Sequence, residues 1–247
     1  KLMKKIFVKL CKLLGFEIID QSRFISPTLN KELNEDLSSF NKKSIVLPLG
    51  EVKITRKVKS LLIIVRMNTE IEIWDQNKKR LFEEPKIEYT FRSIKSLLKS
   101  INFCQNNYSN LNIKTIIVDD GSKKENLDRI KKLIEGKNVE IFSLDHQKFK
   151  KIIKNQKTQE TYSNLASLMQ SFQLGKDLGD DLILFAEDDY IHIESMLEEM
   201  IASFERVASQ TKRDIFMCPS DYPYLYMGNE KTNILIGNKR HWRTINK

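Results

Sequence analysis

Leu182, Ile183, Leu184 and Phe185 follow one another without the polar alternation of a half-solvated strand. That run predicts a central strand covered on both faces. Residues 60–65 are a similar run and residues 113–118 are apolar apart from Lys114 and Thr115; they predict two more strands of the same sheet, and residues 139–144 predict another. Between the strands, apolar residues recur at helical spacing: Ile87, Phe91, Ile94, Leu97, Leu98 and Ile101, then Leu165, Leu168, Met169 and Phe172 within 164–176. Ser122 with Glu125 three residues later reads as a capping box for a helix over 125–135, and a further helix is predicted over 194–207. Strand and helix in alternation predict an α/β fold: a doubly wound, mostly parallel sheet in a three-layer, Rossmann-like arrangement.

Upstream, the pattern is different. Leu2, Met3, Ile6, Phe7, Leu10, Leu13 and Leu14 recur at helical spacing while Lys1, Lys4, Lys5, Lys9 and Lys12 fill the other positions, and Gly15 would end the helix. A basic amphipathic helix of this kind either lies on an anionic membrane through residues 1–15 or packs its apolar face on the domain or a partner. Residues 16–43 read as a polar connector, and 44–48 with 51–54 as a short edge hairpin turning at Pro48 and Gly50. The chain therefore divides into a helix-plus-connector segment, 1–57, and a main domain, 58–247, expected to continue past Lys247.

Composition narrows the function classes. The net charge of +9 is concentrated at the start, where residues 1–60 hold 13 Lys or Arg against 6 Asp or Glu. No aromatic-interleaved basic patch or recognition motif accompanies it, so no nucleic-acid partner is expected. Cys11, Cys104 and Cys218 have neither zinc nor disulfide spacing, which fits a reducing, cytoplasmic setting. No glycine-rich phosphate loop, no membrane-spanning apolar run and no cleavable signal pattern is present.

The candidate chemistry lies at the strand ends. Glu187, Asp188 and Asp189 follow one apolar run, and Asp119 and Asp120 follow another. Acids leaving an apolar core call for a cation or hydrogen-bond donors, and a hard divalent ion such as Mn2+ or Mg2+ suits carboxylates completed by phosphate and water oxygens. Alternatively, Asp119 or Asp120 shapes a turn, and the later acids favour the start of a helix. Arg66 and Asn68 sit after the 60–65 run, where open α/β sheets place their ligands.

Val118-Asp119-Asp120-Gly121-Ser122, followed by an apolar strand and Glu187-Asp188-Asp189, resembles the family 2 type of glycosyltransferases with the A-type nucleotide-sugar fold. The resemblance covers residues 58–207 and implies metal-dependent transfer of a sugar from a nucleotide-diphosphate donor to a cell-envelope glycan or lipid-linked acceptor; fold and metal motif serve both inversion and retention, and inversion is the expected outcome. It implies a base contact for Asp120 with Asp119, a ribose contact for Asp188 and a metal ligand in Asp189, and Glu187 is the candidate second metal ligand. With the cysteine usage and the basic helix over 1–15, the expected location is the cytoplasm, peripheral on the inner face of the membrane where that helix binds lipid. Two departures stand out. Where the family's first strand ends in Pro-Thr-Tyr-Asn, this chain keeps only Asn68, and the 164–176 helix lacks the arginine of the family's Arg-Asn pair. His241 and Arg243 are the candidates for that missing diphosphate charge, with Trp242 between them read either as part of the same motif or as a core plug. Asp221, among Tyr222, Tyr224 and Tyr226, is the candidate general base, against a plain turn aspartate. His146 and His192 read as ordinary residues.

Three other classes compete. A nucleotidyltransferase would carry a glycine-rich, arginine-containing loop after the first strand, where this chain has Arg66-Met67-Asn68-Thr69. A phosphoacceptor signalling domain would be about half as long, with a strand-end lysine near its aspartate. A non-catalytic nucleotide-sugar or glycan-binding scaffold of the same fold would bind without turnover.

Overall fold

The structure, a computed structural model, describes residues 2–14, 52–70, 84–154, 158–219, 234–237 and 241–244. The elements are α1 (Leu2–Leu13), β1 (Ser60–Met67), α2 (Lys86–Asn107), β2 (Asn112–Asp119), α3 (Lys124–Ile134), β3 (Val139–Ser143), α4 (Gln159–Leu178), β4 (Leu182–Glu187), α5 (Met196–Thr211), β5 (Met217–Pro219), β6 (Ile234–Ile236) and β7 (His241–Thr244). They fall into two compact units, Lys57–Ala202 and Lys1–Arg56 with Ser203–Lys247.

In the unit Lys57–Ala202 the sheet is four-stranded and wholly parallel, in the order β3-β2-β1-β4. This is an α/β arrangement compatible with a Rossmann-like fold. β1 is the heart of it. Leu61, Ile63 and Val65 on one face and Leu62 and Ile64 on the other are all at most 4% exposed, so β1 is buried on both sides. Leu62 and Ile64 join Ile116, Val118, Leu144, Phe149, Ile153 and Ala166 in one core, with Leu165, Met169 and Leu174 of α4 packed against it. Each such buried aliphatic side chain contributes about 1.5–3 kcal/mol.

Two expectations change. β4 is not covered like β1: among the described residues it pairs with β1 alone, its residues are half-buried, and Phe185 is 43% exposed, edge-on to Phe172 at 5.0 Å between ring centroids. An apolar run does not distinguish a central strand from an edge strand, because pairing partners lie elsewhere in the chain. α4 turns a wider face inward than the apolar stripe alone: Leu165 and Met169 pack against the core as expected, but Phe172 does not. Its buried residues are Ser163, Ala166, Ser167, Gln170, Ser171 and Gly175, while Phe172 is exposed. Small residues let the helix sit close to the sheet: a Cβ on Gly175 would lie 3.2 Å from Phe185 Cζ and 3.5 Å from Cδ1 of both Ile183 and Ile64.

The Asp-Gly-Ser turn after β2 is built differently from a capping box. Lys123 is the N-cap of α3 with no side-chain cap bond. Asp119 Oδ1 instead accepts from the Ser122 amide at 3.3 Å, and Ser122 Oγ accepts from the Thr69 amide at 3.3 Å, tying the ends of β2 and β1 together. Gly121 takes φ +74°, a left-handed conformation, and a Cβ there would meet nothing within 4 Å among the described residues. Gly121→Ala is therefore expected to lose about 1–2 kcal/mol from backbone strain alone, read as a lower urea midpoint at unchanged slope.

In the other unit, Ser209 Oγ on α5 accepts the amides of Thr55 and Arg56 at 3.0 Å each, and Arg56 Nε donates to Asp214 Oδ1 at 3.0 Å. Residues 52–55 form no strand, and the rest of the expected edge hairpin lies outside the described residues. β5, β7 and β6 form an antiparallel sheet in that order, in which Trp242 is 5% exposed.

Candidate functional site

Strand order reverses between β1 and β4, and in open α/β sheets ligands bind outside the carboxyl ends at that point. The register brings the candidate residues there. Arg66 stands between Val118 and Glu187, and Met67 beside Asp119, so the ends of β1, β2 and β4 are level. Asn68, Asp120 and Asp188 are then one residue beyond the sheet and close enough to bond.

Asn68 is the hinge of the network. Its amide donates to Asp188 Oδ2 at 3.2 Å, and its Nδ2 donates to the Asp120 carbonyl at 2.9 Å and to Asp120 Oδ2 at 3.2 Å. Ser163 Oγ at the start of α4 donates to the same Oδ2 at 2.5 Å, while His146 Nε2 stands 2.9 Å from Asp120 Oδ1. Asp120 is thus buried but fully engaged by donors. Tyr162 stacks on His146 and its hydroxyl donates to the His146 backbone carbonyl.

Asp188 faces inward. Lys86 Nζ donates to its Oδ1 at 2.7 Å, and Thr90 Oγ1 donates to its Oδ2 at 2.8 Å. Burial raises its pKa above the usual carboxylate range, against the pull of the Lys86 ammonium and the Thr90 hydroxyl. Asp189 is the outward acid: its side chain is 52% exposed against 9% for Asp188, with Lys86 Nζ 3.4 Å from its Oδ2. Glu187 is 45% exposed and gives Oε1 to Arg66 Nη2. Arg66 Nη1 also reaches Asn164 Oδ1 at 2.8 Å. An arginine from β1 and an asparagine from α4 therefore meet above the sheet.

A divalent ion fits this donor set in one way. Asp188 has both oxygens bonded and Glu187 holds Arg66, which leaves Asp189 as the accessible carboxylate. Among the described residues no three His, Cys, Asp or Glu side chains converge. A hard cation would take Asp189 and complete its shell with substrate and water oxygens, as Mg2+ commonly does.

No protein-family model and no curated protein matches the chain.

Of the sequence candidates, Arg66, Asn68, Asp119, Asp120, Glu187, Asp188 and Asp189 come together in the unit Lys57–Ala202. Asp221 lies outside the described residues. His241 and Arg243 are on β7 of the other unit, where His241 is exposed and Arg243 is buried opposite Cys218. His192, expected to be ordinary, donates its backbone amide to Ser96 Oγ, and burial lowers its imidazole pKa to about 4.

Lys86, Thr90, Ser163, Asn164 and His146 are site residues that periodicity does not mark. His146 carries a positional signal, since it follows β3 at the ligand end of the sheet. Lys86 carries a local one: a lysine in the first turn of a helix opposes the dipole, and such a conflict points to a tertiary partner.

Proposed function

We propose that this chain is a glycosyltransferase of the A-type, three-layer nucleotide-sugar fold, moving a sugar from a nucleotide diphosphate to a cell-envelope glycan or lipid-linked acceptor. The supporting observation is the network that joins the ends of β1, β2 and β4 through Asn68, Asp120 and Asp188 at the point where strand order reverses.

In this reading Asp120, held by Ser163, His146 and Asn68, forms the floor of the nucleoside pocket with Asp119. Asp188 fixes Lys86 and the Asn68 backbone beneath the ribose. Arg66 and Lys86 supply cationic charge toward the diphosphate. Asp189, flanked by Glu187, would hold a Mn2+ or Mg2+ ion, which when bound supplies further positive charge for the departing diphosphate. The acceptor hydroxyl oxygen attacks the anomeric carbon, the bond from that carbon to the diphosphate oxygen breaks, and the hydroxyl proton passes to a base. Asp221 is assigned that role from its sequence context, and inversion at the anomeric carbon follows from a single displacement.

The test is calorimetric titration with UDP, GDP and CDP, each with and without Mn2+. One nucleotide is expected to bind tightly with metal, and Asp189→Ala to weaken that binding roughly 10–100-fold. Failure of every nucleotide to bind would reject the reading and leave a glycan-binding scaffold.

A further inference from the structure

α1 is a helix whose apolar face has no cover among the described residues. Ile6 and Phe7 are each 59% exposed, Leu10 54%, Leu13 85% and Leu14 66%. The same segment carries Lys1, Lys4, Lys5, Lys9 and Lys12 at the intervening positions, and the first carboxylate in the chain is Glu17. We propose that α1 is a membrane-docking element that lies in the headgroup region of an anionic lipid surface, apolar face down and lysines at the phosphates.

The exposure decides between the two uses of an amphipathic helix. The described residues of its own unit leave Phe7, Leu10 and Leu13 exposed. Leaving so many large apolar side chains in water on one face forgoes the free energy of their burial, so a partner surface is favoured. Charge selects that surface. Five lysines with no nearby acid repel a second copy of the same helix, whereas anionic headgroups attract each of them. Geometry selects the mode. Lys4, Lys5, Lys9 and Lys12 recur along the helix and would stand in hydrocarbon if it crossed, so α1 lies along the interface. Among the described residues no helix is long and apolar enough to cross a membrane. The inference stands apart from the proposed sugar transfer, because none of its residues belongs to the nucleotide network.

The experiment is co-sedimentation of the full chain with vesicles of phosphatidylglycerol and phosphatidylcholine, and with phosphatidylcholine alone. Binding is expected to be roughly tenfold or more tighter to the anionic vesicles and to weaken with added salt. Phe7→Glu/Leu10→Glu is expected to abolish it. Lys4→Gln/Lys5→Gln/Lys9→Gln/Lys12→Gln, which keeps the apolar face, is expected to lose the preference for anionic lipid. Both variants change an exposed helix, and an unchanged thermal transition of the rest of the chain confirms that it folds. Equal binding to both vesicles, retained binding by Phe7→Glu/Leu10→Glu, or self-association in place of vesicle binding would each overturn the proposal. Nucleotide titration of the same variants reads the site separately, so either inference can fail alone.

Discussion

Lys86→Met is expected to cost about 3–5 kcal/mol of folding stability near neutral pH, because it leaves the Asp188 carboxylate buried without its cation. The Thr90 hydroxyl and the Asn68 amide remain, but neutral donors do not replace an ammonium 2.7 Å away. The pH dependence has a fixed sign. Asp188 already has a folded-state pKa above its ordinary value, with burial as the leading cause. A carboxyl with a raised folded pKa binds its proton more tightly when folded. Its ionisation therefore opposes folding as pH rises above the unfolded value, and that penalty disappears as pH falls and the acid is protonated. Removing Lys86 raises the pKa further, so the loss in Lys86→Met should shrink toward acid pH. Lys86→Met/Asp188→Asn removes both charges and keeps an acceptor for Thr90, and it should recover most of the stability. Urea unfolding of the wild type and both variants across pH measures all of this. A single-variant loss that stays constant with pH, or no recovery in the double variant, would show that the pair is not the buried ion pair described.

Ile64→Ala is expected to cost about 3–4 kcal/mol, within the range for a fully buried aliphatic residue with little room to collapse. Ile64 is in the middle of β1, flanked by Ile116 and Phe185 and covered by α4. Its Cδ1 stands 3.5 Å from where a Cβ on Gly175 would be. Gly175→Ala in the same background should therefore return part of the loss, because a methyl enters vacated space and alanine is better than glycine in a helix by about 1 kcal/mol. In the wild type the same methyl meets Phe185 Cζ at 3.2 Å, so its gain there should be smaller. Coupling between the two sites is the observable, read from a double-mutant cycle of urea midpoints, and strict additivity would contradict the close packing of α4 on β1.

Much of this fold is legible without coordinates. The runs over 60–65 and 113–118 mark β1 and β2 because a strand buried on both faces needs apolar residues at consecutive positions. The helices after β1 and β2 follow from spacing, with ends a few residues from those observed. Other features are not legible. α4 buries serines, an alanine and a glycine beside Leu165 and Met169, while Phe172 of the same stripe stays exposed, because close approach to a sheet favours small side chains over greasy ones. β4 and β1 have equally apolar sequences, yet only one is sandwiched between two strands of the described sheet.

The site divides along the same line. Local sequence determined that acids and polar residues stand at the carboxyl ends of parallel strands, since each follows its own apolar run directly. It also determined the amphipathic character of α1, which depends only on spacing along one helix. Only the tertiary structure decided that Asp188 turns inward to Lys86 and Thr90 while Asp189 faces out, and that Asp120 is held by His146 and Ser163. The partners of these acids lie 26 to 102 residues away in the chain. Which way a carboxylate points is set by the donors that the fold brings to it, and a one-dimensional pattern carries no record of them.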